Sequence, residues 1–222
     1  MTMSLLYVRH GATQLNGQGS EERLRGWLPA PLSPAGIEDA KKAAAALPKG
    51  LKVDSFTTSD LPRAVQTAQI LSQAIGKEPE PDPMLRDWNT GRLAGQKVQE
   101  VLPLMKALIT HSNVPAPDGE PLEGYLARFV PLVKAAVNDK GLHLMVGHAR
   151  GATVLEGLAH PTGGKGGSIN RELLYDKPQI EPGGMMLITP DWNMKISNPS
   201  AEKPKAIANG LQGGSLASLG SR

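Results

Sequence analysis

The 222-residue sequence contains no cysteine, which removes disulfide scaffolds, thiolate metal sites and cysteine nucleophiles together and leaves the redox compartment open. Aromatic residues are scarce, with three Trp, three Tyr and two Phe. They do not interleave with basic residues, so a base-stacking platform for nucleic acid is unsupported. No apolar run approaches the eighteen or so residues that a membrane span needs. Residues 1–10 lack a basic segment ahead of an apolar stretch, so they do not read as a secretory signal. The expectation is a cytoplasmic protein without a membrane partner. A strong excess of either charge is missing too: 24 Lys and Arg face 21 Asp and Glu, for a formal net charge of +3. Lys203, Lys205 and Arg222 against Glu202 place two of those units in residues 198–222. The remaining +1 is no footprint for nucleic acid.

What is present suits a globular domain. Hydrophobic residues make up 40%, and the 25 Gly bring the apolar share to about half. Gly and Pro together stay below the share that marks low-complexity chains. The length fits one domain with a short extension.

Residues 5–8, Leu-Leu-Tyr-Val, form a β-favouring apolar run that stops at charged Arg9 and flexible Gly11, as a buried strand ending in a functional loop would. Ser33-Pro34 supplies an N-cap with proline in the first helical position. Ile37, Ala40, Ala44 and Leu47 then share a face, predicting a helix that ends before Pro48. Residues 53–58 read as a second strand. Asp60 is placed to cap a helix carrying Leu61, Ala64, Ala68, Leu71 and Ile75, stopped by Gly76. Beyond a proline-rich stretch, residues 98–109 and 122–137 carry helical periodicity. Residues 142–146 form a compact strand closed by Gly147-His148, residues 152–158 a short helix, and residues 185–189 the last strand. Strands alternating with helices predict an α/β three-layer sandwich, a mainly parallel central sheet flanked by helices, over residues 1–197. From residue 198 onward Pro, Gly, Ser, Ala and Lys dominate, and residues 198–222 read as a flexible tail. The segment Gly163-Gly164-Lys165-Gly166-Gly167-Ser168 lacks the residue order of a nucleotide phosphate loop and reads as a mobile loop.

Ligands of open parallel sheets bind beyond the carboxyl ends of the strands. Two predicted strands end in histidine, at Val8-Arg9-His10-Gly11 and Val146-Gly147-His148. If those strands are neighbours, the imidazoles converge across more than a hundred residues. Taken singly, each histidine would cap a strand and bond a backbone group. The surrounding cations point further: Arg9 precedes His10, Arg23 and Arg25 follow in the next loop, and Arg63 opens the helix after the second strand. Clustered guanidiniums repel one another, and their planar forks suit phosphate oxygens, so a bound phosphoryl group is the simplest thing that would make the cluster favourable. Taken singly, each arginine would be a solvated side chain or an ion pair with Glu21, Glu22 or Asp87. Gly11 would let backbone and ligand approach closely, while Thr13 and Asn16 add neutral donors. A largely neutral imidazole can attack phosphorus through one nitrogen while a hydrogen bond fixes the other, which makes His10 the candidate nucleophile. His111, His143 and His160 have no partner pattern; His143 reads as a strand residue, the others as helix-end surface groups.

Residues 6–16, Leu-Tyr-Val-Arg-His-Gly-Ala-Thr-Gln-Leu-Asn, resemble the opening of the histidine phosphatase superfamily, the group that includes cofactor-dependent phosphoglycerate mutases. Further blocks follow in the family's order: Arg23-Leu24-Arg25-Gly26-Trp27, Pro31-Leu32-Ser33-Pro34-Ala35-Gly36, Ser59-Asp60-Leu61-Pro62-Arg63-Ala64, Leu85-Arg86-Asp87, Pro117-Asp118-Gly119-Glu120 and Val146-Gly147-His148. The resemblance runs from residue 5 to about 190. It implies a phosphoglycerate mutase-like fold in which His10 takes the phosphoryl group, Arg9, Arg63 and His148 bind it and stabilise transition-state charge, and Arg23 and Asn16 assist. It further implies a reaction without a metal or other cofactor. The general acid of the family is usually a glutamate after Leu-Arg, where this chain has Asp87; an ion pair with Arg86 or Arg92 is the alternative role for that carboxylate. Arg150 stands where the family commonly has small residues, and would narrow the pocket or contact an acidic substrate.

The sequence thus predicts a phosphomonoesterase acting on a small phosphorylated substrate, with no nucleic-acid partner and an open oligomeric state. Two readings compete. A mutase would return the phosphoryl group to its substrate, but mutases of the family are generally longer after the acid, whereas about 60 residues separate Asp87 from His148 here. A phosphate-binding scaffold of weak catalytic power would account for Asp87 and Arg150.

Overall fold

The computed structural model describes residues 4–17, 19–160, 166 and 168–200. Alternation within the central strands explains the layering. In β1 (Ser4–Arg9) every residue is buried. Leu5 and Tyr7 join one apolar cluster, while Leu6 and Val8 join a second on the opposite face, as the two-residue period of a strand covered on both sides requires. The second cluster is closed by α1 (Pro34–Ala46) and α2 (Pro62–Ile75), which bury Ala43, Ala64, Ala68 and Leu71. The first is closed by α3 (Val98–Thr110), α4 (Leu122–Asn138) and α5 (Ala149–Ala159), through residues such as Met105, Phe129 and Leu155.

The remaining strands are β2 (Ser55–Thr58), β3 (Glu80–Pro81), β4 (Leu142–Gly147), β5 (Met185–Ile188) and β6 (Met194–Ser197). They form one sheet in the order β3-β2-β4-β1-β5-β6. The four strands from β3 to β1 run parallel, and β5 and β6 close the sheet with antiparallel pairings. The expected α/β architecture with a central, mainly parallel sheet is therefore present. Residues 185–189 are not the last strand, because β6 turns back on β5. Its partly exposed pattern at the sheet edge carries little of the periodic signal by which a buried strand is read. Among the described residues no helix is long and apolar enough to cross a membrane.

Local signals hold at both ends of α1 and at the end of α2. Ser33 caps α1 by accepting from the Gly36 N–H, and Gly76 ends α2 in the left-handed conformation. Asp60 is an exception. The capping position of α2 falls on Leu61, which makes no side-chain cap, and Asp60 instead accepts two bonds from Arg86 at 2.7 and 2.5 Å. A charge-assisted bidentate pair outweighs a single cap bond. The expected tail, residues 198–222, lies outside the described residues apart from Asn198, Pro199 and Ser200; the glycine-rich loop, save Gly166 and Ser168, also lies outside. Asn198 accepts from Glu181 N and donates to Gln179 O.

The loop after β1 is pressed against the start of α1. A Cβ on Gly11 would lie 2.1 Å from Gly36 O, and one on Gly36 would lie 1.8 Å from Ala12 O. Gly11 therefore serves contact with the protein's own helix rather than approach to a ligand. Gly36→Ala should force the loop and helix apart and cost ~1–3 kcal/mol, or several degrees in Tm for a chain of this size. Gly124→Ala, inside α4 where a Cβ would meet only ordinary contacts beginning at 3.5 Å, should instead add ~0.5–1 kcal/mol. Thermal unfolding of both variants beside the parent tests this; an unchanged Tm for Gly36→Ala would contradict the close packing.

Candidate active site

Strand pairing brings the two histidines together. Parallel β1 and β4 sit in a register that sets Arg9 opposite Gly147, so His10 and His148 leave adjacent strands side by side, at the end where ligands of such sheets bind. The His10 N–H donates to Gly147 O at 3.0 Å, and the ring centroids lie 5.2 Å apart. Tyr7 secures the second histidine: its hydroxyl accepts from His148 N at 2.6 Å and donates to His148 O at 2.9 Å. Burial pushes the Tyr7 phenol far above its ordinary range, so it keeps the proton it donates.

The tautomer of His10 follows from its neighbour. Nδ1 lies 2.7 Å from Gly11 O. A carbonyl only accepts, so Nδ1 carries the proton and Nε2 carries the lone pair. That lone pair faces Arg63, whose Nε donates to it at 3.2 Å. Arg63 is fully buried, and its other nitrogens donate to Leu28 O and Gly26 O at 3.0 and 2.8 Å. Both imidazoles are 1% exposed. Burial, reinforced by the neighbouring Arg63, holds His10 and His148 well below the usual imidazole range, so both are neutral near pH 7.

Arg9 and Arg25 complete the cationic wall. Arg9 is anchored by Nη1 to Ile180 O at 2.9 Å. Burial, with Arg25 close by, lowers the Arg9 guanidinium to about 10, and burial lowers that of Arg63 to about 10. The nearest carboxylates only graze this wall: Asp87 Oδ2 is 3.9 Å from Arg63 Nη2, and Glu22 Oε1 is 3.8 Å from Arg25 Nη2. Arg9 Nε, Arg25 Nη1 and His148 Nδ1 are buried without a hydrogen-bond partner in the protein. Buried polar atoms left in this way are costly until a partner meets them, and for the guanidinium donors an anion would be the strongest. A cavity of about 160 Å³ adjoins, lined in part by Arg9, Arg25, Asp87, Trp88 and Arg150.

Among the residues singled out in the sequence, His10, His148, Arg9, Arg63 and Asp87 converge here. Asp87 takes neither alternative partner, since Arg86 pairs with Asp60 and Arg92 with Asp118. Arg150 lines the cavity, donates to Leu174 O and lies 5.7 Å over the Trp88 ring. Arg23 also lines it, but its Nη1 donates to Gly95 O at 2.8 Å. Thr13 and Asn16 bond each other, the Asn16 Oδ1 accepting from Thr13 N and Oγ1 at 2.8 and 3.1 Å, and shape the turn beside the site. Arg25 was visible in the loop as one of four cations, but its place in the wall needed the fold. Ser59, whose Oγ lies 2.8 Å from His148 Nε2, opens one of the blocks that resemble the family, but no role for it was legible in the sequence. Among the described residues no group of three or more His, Asp or Glu side chains is placed to hold a metal ion.

Comparison with known proteins agrees with this geometry. The family model of the histidine phosphatase superfamily (branch 1) matches residues 5–160. The 2,3-bisphosphoglycerate-dependent phosphoglycerate mutase of Sinorhizobium fredii is 32% identical over 140 residues, 59% of this chain and 65% of that protein. Phosphoglycerate mutase-like protein 4 of Arabidopsis thaliana is 37% identical over 97 residues, 43% of this chain and 41% of that protein. The chain thus matches less than two thirds of the length of either. The crystal structure of a phosphoglycerate mutase from Thermus thermophilus superposes with a TM-score of 0.63 at 29% identity, covering 87% of this chain and 96% of that one.

The lowered imidazoles make stability depend on pH. Unfolded histidines take up protons near pH 6.5, whereas His10 and His148 in the folded chain do so only well below that. The unfolded state therefore binds more protons as pH falls below about 6.5, and folding stability declines with it by up to ~1.4 kcal/mol per pH unit for each ring. Tm followed from pH 8 to pH 5 should fall more steeply for the parent than for a His10→Asn/His148→Asn double variant. Parallel profiles would contradict buried neutral rings.

Proposed function

The chain belongs to the histidine phosphatase superfamily, and from that premise we propose that it is a phosphomonoesterase that works through a phosphohistidine on His10. The observation that carries this reading is the hydrogen bond from His10 Nδ1 to Gly11 O, 2.7 Å, which leaves Nε2 as a neutral nucleophile facing buried guanidinium donors.

In the first step His10 Nε2 attacks phosphorus as the bond to the leaving oxygen breaks, and a proton brought in by the phosphomonoester monoanion passes through the Asp87 carboxylate to that oxygen. Arg63, which donates to Nε2 beforehand, gives up the lone pair to phosphorus and turns its charge to the phosphoryl oxygens. Arg9 Nε and Arg25 Nη1 supply two further donors. A Ser59 hydroxyl donating to His148 Nε2 leaves the second imidazole's proton on Nδ1, the nitrogen without a protein partner. In the second step the Asp87 carboxylate takes a proton from water, the water oxygen attacks phosphorus, and the P–N bond breaks. The guanidiniums supply the electrostatic stabilisation that phosphoryl transfer requires. Arg23 and Arg150, which line the adjoining cavity, would meet the rest of the substrate, while Asn16 and Thr13 support the turn that follows His10. A cavity of about 160 Å³ favours a small phosphorylated substrate.

The names of the relatives favour a second reading, in which the phosphoryl group returns to the substrate as in a mutase. The parent and His10→Ala, run with a chelator on a panel of small phosphomonoesters that includes a phosphoglycerate, separate the possibilities. Expected are released phosphate and an acid-labile phosphoenzyme for the parent, and neither for His10→Ala. Isomerised phosphoglycerate without free phosphate would favour the mutase. Phosphate binding with no turnover would favour the scaffold, and undiminished turnover by His10→Ala would refute the mechanism.

A further inference from the structure

Arg128 takes no part in the steps above, yet it is the most fully engaged cation near them. It projects from α4 with its side chain 13% exposed, and all five of its N–H groups are used. Nη1 donates to Met84 O and to Arg86 O, both at 2.8 Å. Nη2 donates to Asp87 O at 2.8 Å and to Glu120 Oε1 at 2.6 Å, and Nε donates to Glu120 Oε2 at 3.2 Å. Three of the five bonds thus fix carbonyls of the segment that carries Asp87.

Glu120 completes the clamp. Its Oε1 also accepts from Asn89 N at 2.9 Å, its backbone N–H donates to Asn89 O at 2.9 Å, and its carbonyl accepts from Trp88 Nε1 at 2.9 Å. On the other side the Trp27 indole donates to Asp87 O at 2.7 Å. Residues 86–90 lie between two short 3₁₀ turns, Pro83–Leu85 and Gly91–Leu93, so no helix or strand ladder fixes them. An aspartate carboxyl stands one methylene from its Cα, and its position follows the backbone closely.

We propose that Arg128, held by Glu120, is a positioning residue that aims the Asp87 carboxyl at the leaving oxygen. The guanidinium suits this task because its rigid planar fork can reach three carbonyls and a carboxylate together, which the three donors of a lysine ammonium cannot reproduce. The proposal rests on the reading of Asp87 as the general acid, and a misaimed acid loses rate chiefly where the leaving group needs its proton.

The test uses a series of phenyl phosphates graded in the acidity of the leaving phenol, with the parent, Arg128→Lys, Glu120→Gln, Asp87→Asn and the double variant Arg128→Lys/Asp87→Asn. For Arg128→Lys, kcat on the least acidic phenol should fall about tenfold or more, while p-nitrophenyl phosphate stays within about twofold and KM changes little. Asp87→Asn should steepen the dependence on phenol acidity further, and adding Arg128→Lys to it should change nothing more. An Asp87→Asn variant with the parent's dependence would sink the acid reading itself. A steeper dependence for Asp87→Asn combined with a uniform loss across the series for Arg128→Lys, or with losses that multiply in the double variant, would overturn the positioning role alone. Should Arg128→Lys not fold, Glu120→Gln keeps the issue decidable: it loosens the same clamp and should shift the same dependence in the same direction, and an unshifted dependence would overturn the proposal.

Discussion

Parallel pairing of β1 with β4, in the register that sets Arg9 against Gly147, determines where both strands leave the sheet and therefore where both imidazoles sit. Everything else in the site is arranged around that pair. Tyr7, two residues before Arg9 on the same strand, reaches across to hold His148 by its backbone N–H and carbonyl, so one strand both delivers the first histidine and locks the second. Slippage of this register by one residue would separate the rings and exchange the side chains that β1 gives to the two apolar clusters. The apolar clusters on both sides of the sheet thus stabilise the site geometry as well as the fold.

Charge burial is the tension this frame sustains. Arg9, Arg25 and Arg63 are enclosed beside two imidazoles kept neutral, with carboxylates no nearer than 3.8 Å to the guanidiniums of Arg25 and Arg63. Desolvation is the first cause of every lowered pKa in the group. Such a cluster stores unfavourable energy that a doubly charged tetrahedral anion would relieve, through donors that meet no protein acceptor. Backbone carbonyls of Ile180, Leu28 and Gly26 hold Arg9 and Arg63 in place, so the guanidiniums are oriented before any ligand arrives.

The two halves of the site are stiffened by different means. The histidine end grows from sheet strands and helix starts, and the packed core holds it. The Asp87 side rides on an irregular segment whose geometry comes from side chains reaching in from elsewhere: Trp27 from the connection between β1 and α1, and the Arg128–Glu120 pair from α4 and its approach.

Local order was written plainly in the sequence. Apolar periods marked α1 to α5 and the buried strands, because burying a continuous face is decided residue by residue along the chain. His10, Arg63 and His148 could be named because they stand at the ends of those elements, and Asp87 because it follows Leu85-Arg86 in a block that resembles the family's. Partners across the chain were another matter. Asp60 sits where a helix cap belongs, yet it pairs with Arg86; Gly11 looks like room for a ligand, yet it admits the carbonyl of Gly36; nothing along the chain marks Arg128. Which charge meets which, and which donor is left unmatched, depends on distances between segments far apart in the chain, and only the folded structure sets those distances. The sequence by itself determined the elements and the chemical groups they carry. Tertiary packing decided the tautomer of His10, the enclosure of the guanidiniums and the anchoring of Asp87, since each follows from what lies within about 3 Å in space, the range of a hydrogen bond.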